Sequence, residues 1–414
     1  PVYARPQDAL RPVGTTGTKG KTPTAWLAGA ALRAGGLEAA VLGTVVHDLG
    51  PAGRRGATNT TPGVLEIRRL LAQARDAGCR AAVLEVSSHA LHQGRTAGLE
   101  FAAAVFTNLG HDHLDYHRDL DEYAEAKRRL FRGLDPASTA ILNRDEAMWR
   151  RMAEGCRGRI LTFGTDERAD LCVHDLRLDR DHTDFVLGVQ GTPEGRGAAT
   201  VRTALVGRHN PLNLAAAVGA ALSLGVDLER AAQGAAGVAQ VPGRLERVLP
   251  GGDLSVFVDY AHTDGALRAV LGFLREVGAT PLTCVVGCGG DRDRTKRPRM
   301  ARTAATLCER VVLTSDNPRT EDPIRILEEM EAGLEANARR HVAVQVDRRE
   351  AIREAILGAP SGGTVLVAGK GHETYQILDE ERIPFDDVEE VREALRLRRA
   401  VGSAIAAPPA SNTP

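Results

Sequence analysis

Lysine is scarce in this chain. Lysine and arginine together number 53 of 414 residues, yet only five are lysine: Lys19, Lys21, Lys127, Lys296 and Lys370. Arginine serves almost everywhere else that a cation is used. The two groups differ in chemistry, one a compact point charge on a reactive amine, the other a planar fork. A retained lysine is therefore either a remainder of codon usage or a mark of a site where guanidinium will not serve. Long apolar runs are also missing. None approaches the roughly 20 residues a membrane span needs, and no secretory signal pattern is read at the start. A net charge of −1 argues against general affinity for nucleic acid or an anionic membrane. The six cysteines (Cys79, Cys156, Cys172, Cys284, Cys288, Cys308) include no CxxC pair and no disulfide framework. A reducing cytoplasm fits that usage. The expectation is a cytoplasmic monomer that binds neither membrane nor nucleic acid.

What is present is an α/β pattern long enough for two domains. The runs AAVLGTVV (39–46), RAAVLEVSS (80–88), FAAAVFTNL (101–109) and TAILN (139–143) read as buried strands, with helical segments at 63–77 and 119–133 between them. Such alternation predicts a mostly parallel sheet with helices on both faces. From 159 to 206 the alternation is stricter, as in antiparallel strands, and Ala-rich helix follows from Pro211. A second α/β series opens at VPGRLERV (241–248). The expected division is a linker or remnant at 1–12, a first α/β domain at 13–239, a second at 240–401 and a disordered tail at 402–414.

GTTGTKGKTPT, Gly14 to Thr24, carries the first chemistry. A Gly-rich turn before a helix presents backbone amides to phosphate, Lys21 can reach the β/γ-phosphates, and the Thr22 hydroxyl can meet Mg²⁺. Pro23 falls in the first helical turn, where a missing N–H costs little. Read against the general Walker spacing, Thr15 stands where glycine belongs and the glycine is at Gly14.

That offset form resembles the loop of the Mur ligase family. Further segments resemble the same family in order: NTTP (59–62), EVSSHAL (85–91), FTNLGHDHLDYH (106–117), YAEAKRRLF (123–131), GRHNPLNLAAA (207–217), VPGRLERV, VDYAHT (258–263), GCGGDRD (287–293), SDNPRTEDP (315–323) and GKGHETYQ (370–376). The resemblance runs from about Gly14 to Gln376. It implies a P-loop-type central domain, a Rossmann-like C-terminal domain and ATP-driven amide formation through an acyl phosphate. Two anions must meet in such a reaction, so cations and metal ions should dominate its site.

Roles follow residue by residue from the resemblance. Gly17, Thr18, Lys19, Gly20, Lys21 and Thr22 would bind ATP, with Asn210, Arg244, Asp259 and His262. Thr22, Glu85, His113 and Lys127 would hold Mg²⁺, Lys127 as a carbamate formed with CO₂ or bicarbonate; Lys21, Glu85, His113 and Lys127 are the expected catalytic set. Composition alone also admits zinc among His111, His113 and His117. Asn59, Thr60, Thr61, Ser87, Gln93 and Arg95 would hold UDP-N-acetylmuramoyl-L-Ala-D-Glu, although NTTP alone is only a turn before a helix. Arg292, Asp316, Asn317, Pro318, Arg319, Gly369 and Glu373 would hold the incoming diamino acid. In the family, the DNPR form accepts meso-diaminopimelate, and a planar guanidinium suits its distal carboxylate. L-Ornithine and L-lysine stay open, as do a folylpolyglutamate-synthase-like ligase and a non-catalytic ATP-binding remnant. The sequence departs from the family at Lys19 (usually Asn), at Pro23 (usually Thr) and in VDYAHTDGAL, where TPDAL is commoner. The family's uridine-binding domain is expected to be absent, since about a dozen residues precede the loop.

Overall fold

The computed structural model describes residues 5–110, 116–192, 195–250 and 252–406. The chain divides into two units, Pro1–Val241 and Pro242–Pro414. In the first, the strands are β1 (Arg11–Thr16), β2 (Ala39–Leu42), β3 (Val46–Asp48), β4 (Arg54–Gly56), β5 (Ala81–Glu85), β6 (Ala103–Phe106), β7 (Thr139–Asn143), β8 (Arg159–Gly164), β9 (Leu171–Leu178), β10 (Thr183–Thr192) and β11 (Gly195–Thr203). Its helices are α1 (Lys21–Ala34), α2 (Val64–Asp76), α3 (Ser88–His92), α4 (Leu120–Arg132), α5 (Trp149–Ala153), α6 (His209–Ser223) and α7 (Leu228–Ala236).

All eleven strands join one sheet in the order β11-β10-β9-β8-β7-β6-β1-β5-β2-β3-β4. The middle, from β9 across to β2, is parallel. Both ends are antiparallel. The mostly parallel sheet with an antiparallel part matches the expected class. Successive residues of a strand point to opposite faces, and the buried strands are apolar on both. On β5, Ala81 and Val83 face the core made with α1, α6 and α7, while Ala82 and Leu84 face the core made with α2 and α4. Because β5 and β6 flank β1 on opposite sides, the chain leaves β1 at a switch point. Ligands of open α/β sheets bind beside the carboxyl ends of strands at such points.

The run 39–46 departs from the expected single strand. It breaks after Leu42 and resumes at Val46 as an antiparallel strand. A Cβ at Gly43 would stand 2.1 Å from Glu85 Oε1, so the chain bends aside to leave room for that carboxylate.

The second unit has β12 (Glu246–Arg247), β13 (Ser255–Asp259), β14 (Leu282–Cys288), β15 (Arg310–Ser315), β16 (Val342–Val344) and β17 (Thr364–Ala368), in the order β12-β13-β17-β14-β15-β16. Only β12 runs antiparallel. Its helices are α8 (Asp264–Glu276), α9 (Lys296–Leu307), α10 (Pro323–Glu331), α11 (Arg348–Gly358) and α12 (Asp387–Ala406). A separate hairpin pairs β18 (Tyr375–Leu378) with β19 (Glu381–Pro384). Helix α12 takes in the first residues of the expected tail; residues 407–414 lie outside the described residues. Among the described residues no helix is long and apolar enough to cross a membrane.

One ion pair pins the end of this sheet. Arg348 and Asp387 are both fully buried, joined by two bonds of 2.7 Å from Nε and Nη2. The same guanidinium donates to Ala368 O (3.1 Å) and Ser315 O (3.4 Å), the last residues of β17 and β15. Removing one partner of a buried pair strands the other charge, so Asp387→Asn should cost about 3–5 kcal/mol. Neutralising the exposed Arg396 should cost no more than ~1 kcal/mol. Urea unfolding of the two variants measures both.

Candidate active site

Strand β1 delivers the chain into Gly17–Gly20, and α1 starts at Lys21. Gly17 has φ 152°, and a Cβ there would lie 1.9 Å from Thr107 Oγ1; only glycine fits. The turn is braced from the end of β6. Thr107 Oγ1 donates to Lys19 O (2.6 Å), Lys19 N donates to Asn108 Oδ1 (2.8 Å), and Thr18 N donates to Asn108 O (2.9 Å). Lys21 Nζ donates to the carbonyls of Gly17 (2.8 Å) and Thr18 (2.9 Å), placing its charge over the loop. The Lys19 side chain is exposed. Asn210, buried on α6, accepts from Asn213 (3.2 Å), which in turn accepts from Thr24 on α1 (3.3 Å). Loop, cation and first-turn amides make one anion-receptive corner.

Glu85 ends β5 beside that corner, with 1% of its surface exposed. Its carboxylate accepts from Thr22 Oγ1 (2.8 Å), Thr44 N (2.8 Å) and Thr44 Oγ1 (2.9 Å). Lys127, on α4, is also 1% exposed. Its Nζ donates to Gly17 O (2.9 Å) and lies 4.3 Å from the Tyr123 ring centroid. Thus Lys21, Thr22, Glu85 and Lys127 converge on one loop. His111 and His113 lie outside the described residues.

The NTTP segment folds against the same strand end. Thr61 Oγ1 donates to Glu85 O (2.8 Å) and accepts from Ser87 N (3.0 Å). Thr60 Oγ1 accepts from Thr44 (3.1 Å). Ser87 caps α3 through Ala90 N (3.2 Å). Arg95 donates to Thr61 O (2.9 Å) and Gln93 Oε1 (2.8 Å). Thr60, Thr61, Ser87, Gln93 and Arg95 therefore form one linked patch, while no side-chain bond ties the exposed Asn59 to it among the described residues.

In the second unit, Asp316–Arg319 follow β15 and Gly369–Glu373 follow β17. Asn317 Nδ2 donates to Glu373 Oε2 (2.8 Å). Arg319 sits in the left-handed region at φ 53°, and its Nη1 donates to Gly290 O (2.7 Å) and, at 3.4 Å, Asn317 O. Gly369 allows close approach to Asp316, whose Oδ2 would be 2.8 Å from a Cβ there. Arg292 is exposed and donates to Asp291 O (2.8 Å). On the β13 side, Asp259 accepts from Leu245 N (2.6 Å), Arg244 stacks on Tyr260 at 5.0 Å, and His262 Nδ1 lies 2.8 Å from Tyr260 O.

Residues 15–221 match the model of the Mur ligase middle domain, and residues 243–371 match the Mur ligase, glutamate ligase domain. A UDP-N-acetylmuramoyl-L-alanyl-D-glutamate--2,6-diaminopimelate ligase of Gloeobacter violaceus is 46% identical over 401 residues, 97% of this chain and 80% of that relative. The chain belongs to the Mur ligase family. A solved structure of a diaminopimelate ligase of the same name matches with TM-score 0.67 at 38% identity, over 94% of this chain and 79% of that one. A folylpolyglutamate synthase of Mycobacterium tuberculosis matches with TM-score 0.69 over 97% of this chain and 92% of that one. At 20% identity, it shares the fold.

The donor set of this Mur ligase suits Mg²⁺. Thr22 and Glu85 offer hard oxygens beside the Gly17–Gly20 turn, and Mg²⁺ takes few protein ligands when phosphates complete its shell. Among the described residues no three His, Cys, Asp or Glu side chains cluster as a metal site. Sequence reasoning missed three positions. Thr44 binds Glu85 from the break after β2. Tyr123 meets Thr18 (3.1 Å) and Lys127. Lys370, fully buried, meets Asn317 (3.0 Å) and Glu373 (3.1 Å); its advance signals were the scarcity of lysine and its place in GKGHETYQ.

His372 follows Lys370 into this region. Burial, reinforced by Arg244, His262 and Lys370, pushes its imidazole down to about 3, so the fold keeps it neutral. Between pH 6.5 and 3 the unfolded chain takes a proton that the native one refuses, so stability falls as pH drops below 6.5. The slope is at most ~1.4 kcal/mol per pH unit for one proton. Urea unfolding at pH 7, 6 and 5 should show a shallower acid loss in His372→Gln than in the parent.

Proposed function

We propose that this chain joins meso-diaminopimelate to UDP-N-acetylmuramoyl-L-Ala-D-Glu at the expense of ATP, in peptidoglycan precursor synthesis. The observation that carries the reading is the pairing around Asn317. Its backbone carbonyl meets the Arg319 guanidinium and its side chain meets the Glu373 carboxylate. A receiver for carboxylate and a receiver for ammonium thus meet around one residue, which suits an amino acid whose distal end bears both groups. Lysine and ornithine lack the distal carboxylate. The 46% identical relative, named for 2,6-diaminopimelate, supports the same choice.

In this reading, 13–239 is the ATP-binding domain and 240–401 the domain that receives the amino acid. Lys21 and the amides at the start of α1 hold the phosphates, and Thr22 and Glu85 would hold Mg²⁺. The metal, when bound, screens the charge of two approaching anions. The dipeptide carboxylate attacks the γ-phosphate and ADP departs, leaving an acyl phosphate. The amine of diaminopimelate then attacks the acyl carbon, phosphate leaves, and the amine's proton passes to solvent. Thr60, Thr61, Ser87 and Arg95 orient the dipeptide, whose attack needs its carboxylate fixed in line with the phosphate. Asn210, Arg244, Asp259 and His262 are assigned to the nucleotide. The enzyme would act as a cytoplasmic monomer, where ATP and UDP-linked precursors are made.

Lys127 is assigned a carbamate. Its ammonium gives up one proton, the free amine adds to CO₂ and releases a second, and a buried cation becomes an anion beside Gly17. Arg128, Arg129 and Arg132 on the same helix show that a mere positive charge there is normally arginine. Lys127→Ala should lose ~10²-fold or more in turnover, the scale of a lost electrostatic group, with partial recovery in a short-chain carboxylate. Full activity in that variant would remove the assignment.

The reaction itself is tested by amino-acid-dependent phosphate release with ATP, Mg²⁺, bicarbonate and the UDP-muramoyl dipeptide. Diaminopimelate should support turnover and lysine or ornithine should not; turnover with folate and glutamate instead would indicate the other ligase branch. Arg319→Ala should lower kcat/KM for diaminopimelate by about 10–100-fold, the worth of a charge-assisted bidentate contact. Unchanged diaminopimelate use in this variant would count against the amino-acid assignment.

A further inference from the structure

We infer that Lys370 is a positioning residue that sets the polarity of the amino-acid pocket, fixing which atoms of Asn317 and Glu373 meet the substrate. The inference rests on the reading proposed above. Lys370 is 0% exposed. Its Nζ lies 3.0 Å from Asn317 Oδ1, 3.1 Å from Glu373 Oε2 and 3.7 Å from Asp316 Oδ1. A compact ammonium with three hydrogens suits three acceptors arranged around one point; a planar fork does not.

Asn317 has an amide whose two ends are nearly equal in size. Here the choice is forced. Oδ1 accepts from both Lys370 Nζ and Ile377 N, each at 3.0 Å. Reversal would turn an NH₂ group toward two donors. Nδ2 consequently faces Glu373 Oε2 at 2.8 Å. Glu373 Oε2 therefore takes two donors, from Lys370 and Asn317. Oε1 has only the Tyr260 hydroxyl, at 3.5 Å, as a hydrogen-bond partner among the described residues. Burial, with Glu373 beside it, keeps that phenol protonated and a donor. Oε1 is the oxygen left for an ammonium, and the remaining N–H of Asn317 is left for a carboxylate.

The test is a comparison of KM values for all three substrates in the parent and in Lys370→Met. Loss of a charge-assisted hydrogen bond predicts a rise of about tenfold or more in KM for diaminopimelate, with KM for ATP and for the muramoyl dipeptide within about twofold. Adding Glu373→Gln to Lys370→Met should change KM by less than about twofold, although Glu373→Gln alone raises it about tenfold, because coupled groups are not additive. A merely structural lysine would shift all three KM values together. If Lys370→Met does not fold, Lys370→Gln, which keeps a polar head, carries the same expectation. A diaminopimelate KM within about twofold of the parent, in a folded variant with normal ATP KM, overturns the inference. A parent enzyme that turns over with no diamino acid overturns the proposed function, and this inference with it.

Discussion

A carboxylate withdrawn from water must be met by donors, and Glu85 shows how far that demand reaches. Its donors come from α1 through Thr22 and from the break after β2 through Thr44. Gly43 is bare because a Cβ there would strike Oε1. Thr61 takes up the backbone carbonyl of the same residue and thereby draws in Ser87. Three segments distant in sequence are thus held in register by one residue, through its carboxylate and its backbone carbonyl, at the end of one strand. The corner around Lys21 and the patch of Thr60, Thr61, Ser87 and Arg95 are consequently a single hydrogen-bonded body.

The second unit meets a demand of the opposite sign. There the buried group is the Lys370 ammonium, and its acceptors are Asn317, Glu373 and, more distantly, Asp316. The strand ends that carry these acceptors are held from beneath by Arg348, whose guanidinium spans Ala368, Ser315 and Asp387. Parallel sheets present their carboxyl ends as a shelf, and each unit anchors its shelf with one charge that solvent does not reach.

Much of this was legible in the sequence where the signal is local. The turn before α1 is contiguous, so its glycines and Lys21 stand together in the sequence and carry the resemblance directly. TAILN at 139–143 coincides with β7, its short apolar centre having the length of a buried strand rather than of a helix. Asp322 caps α10 through Ile324 N, as a Pro-containing start predicts. What could not be read depends on distance. Thr44 meets Glu85 across 41 residues, inside a run that looks like one continuous strand. Lys370 meets Asn317 across 53 residues, and nothing around it in sequence marks a buried ammonium. The β18–β19 hairpin is short and polar, without the alternation that identifies a strand.

The scarcity of lysine has a chemical corollary. Lys127 and Lys370 are buried, while Lys21 and Lys296 are partly covered and bonded to backbone carbonyls. Lys19 alone among the five side chains is exposed. A reagent that acylates primary amines and ignores guanidinium would therefore find its readiest side-chain target at Lys19, in the turn before α1. In a protein of ordinary composition such a reagent decorates the whole surface. Here it becomes a nearly site-directed label, able to carry a dye or a crosslinker to the Gly17–Gly20 turn without any engineered cysteine.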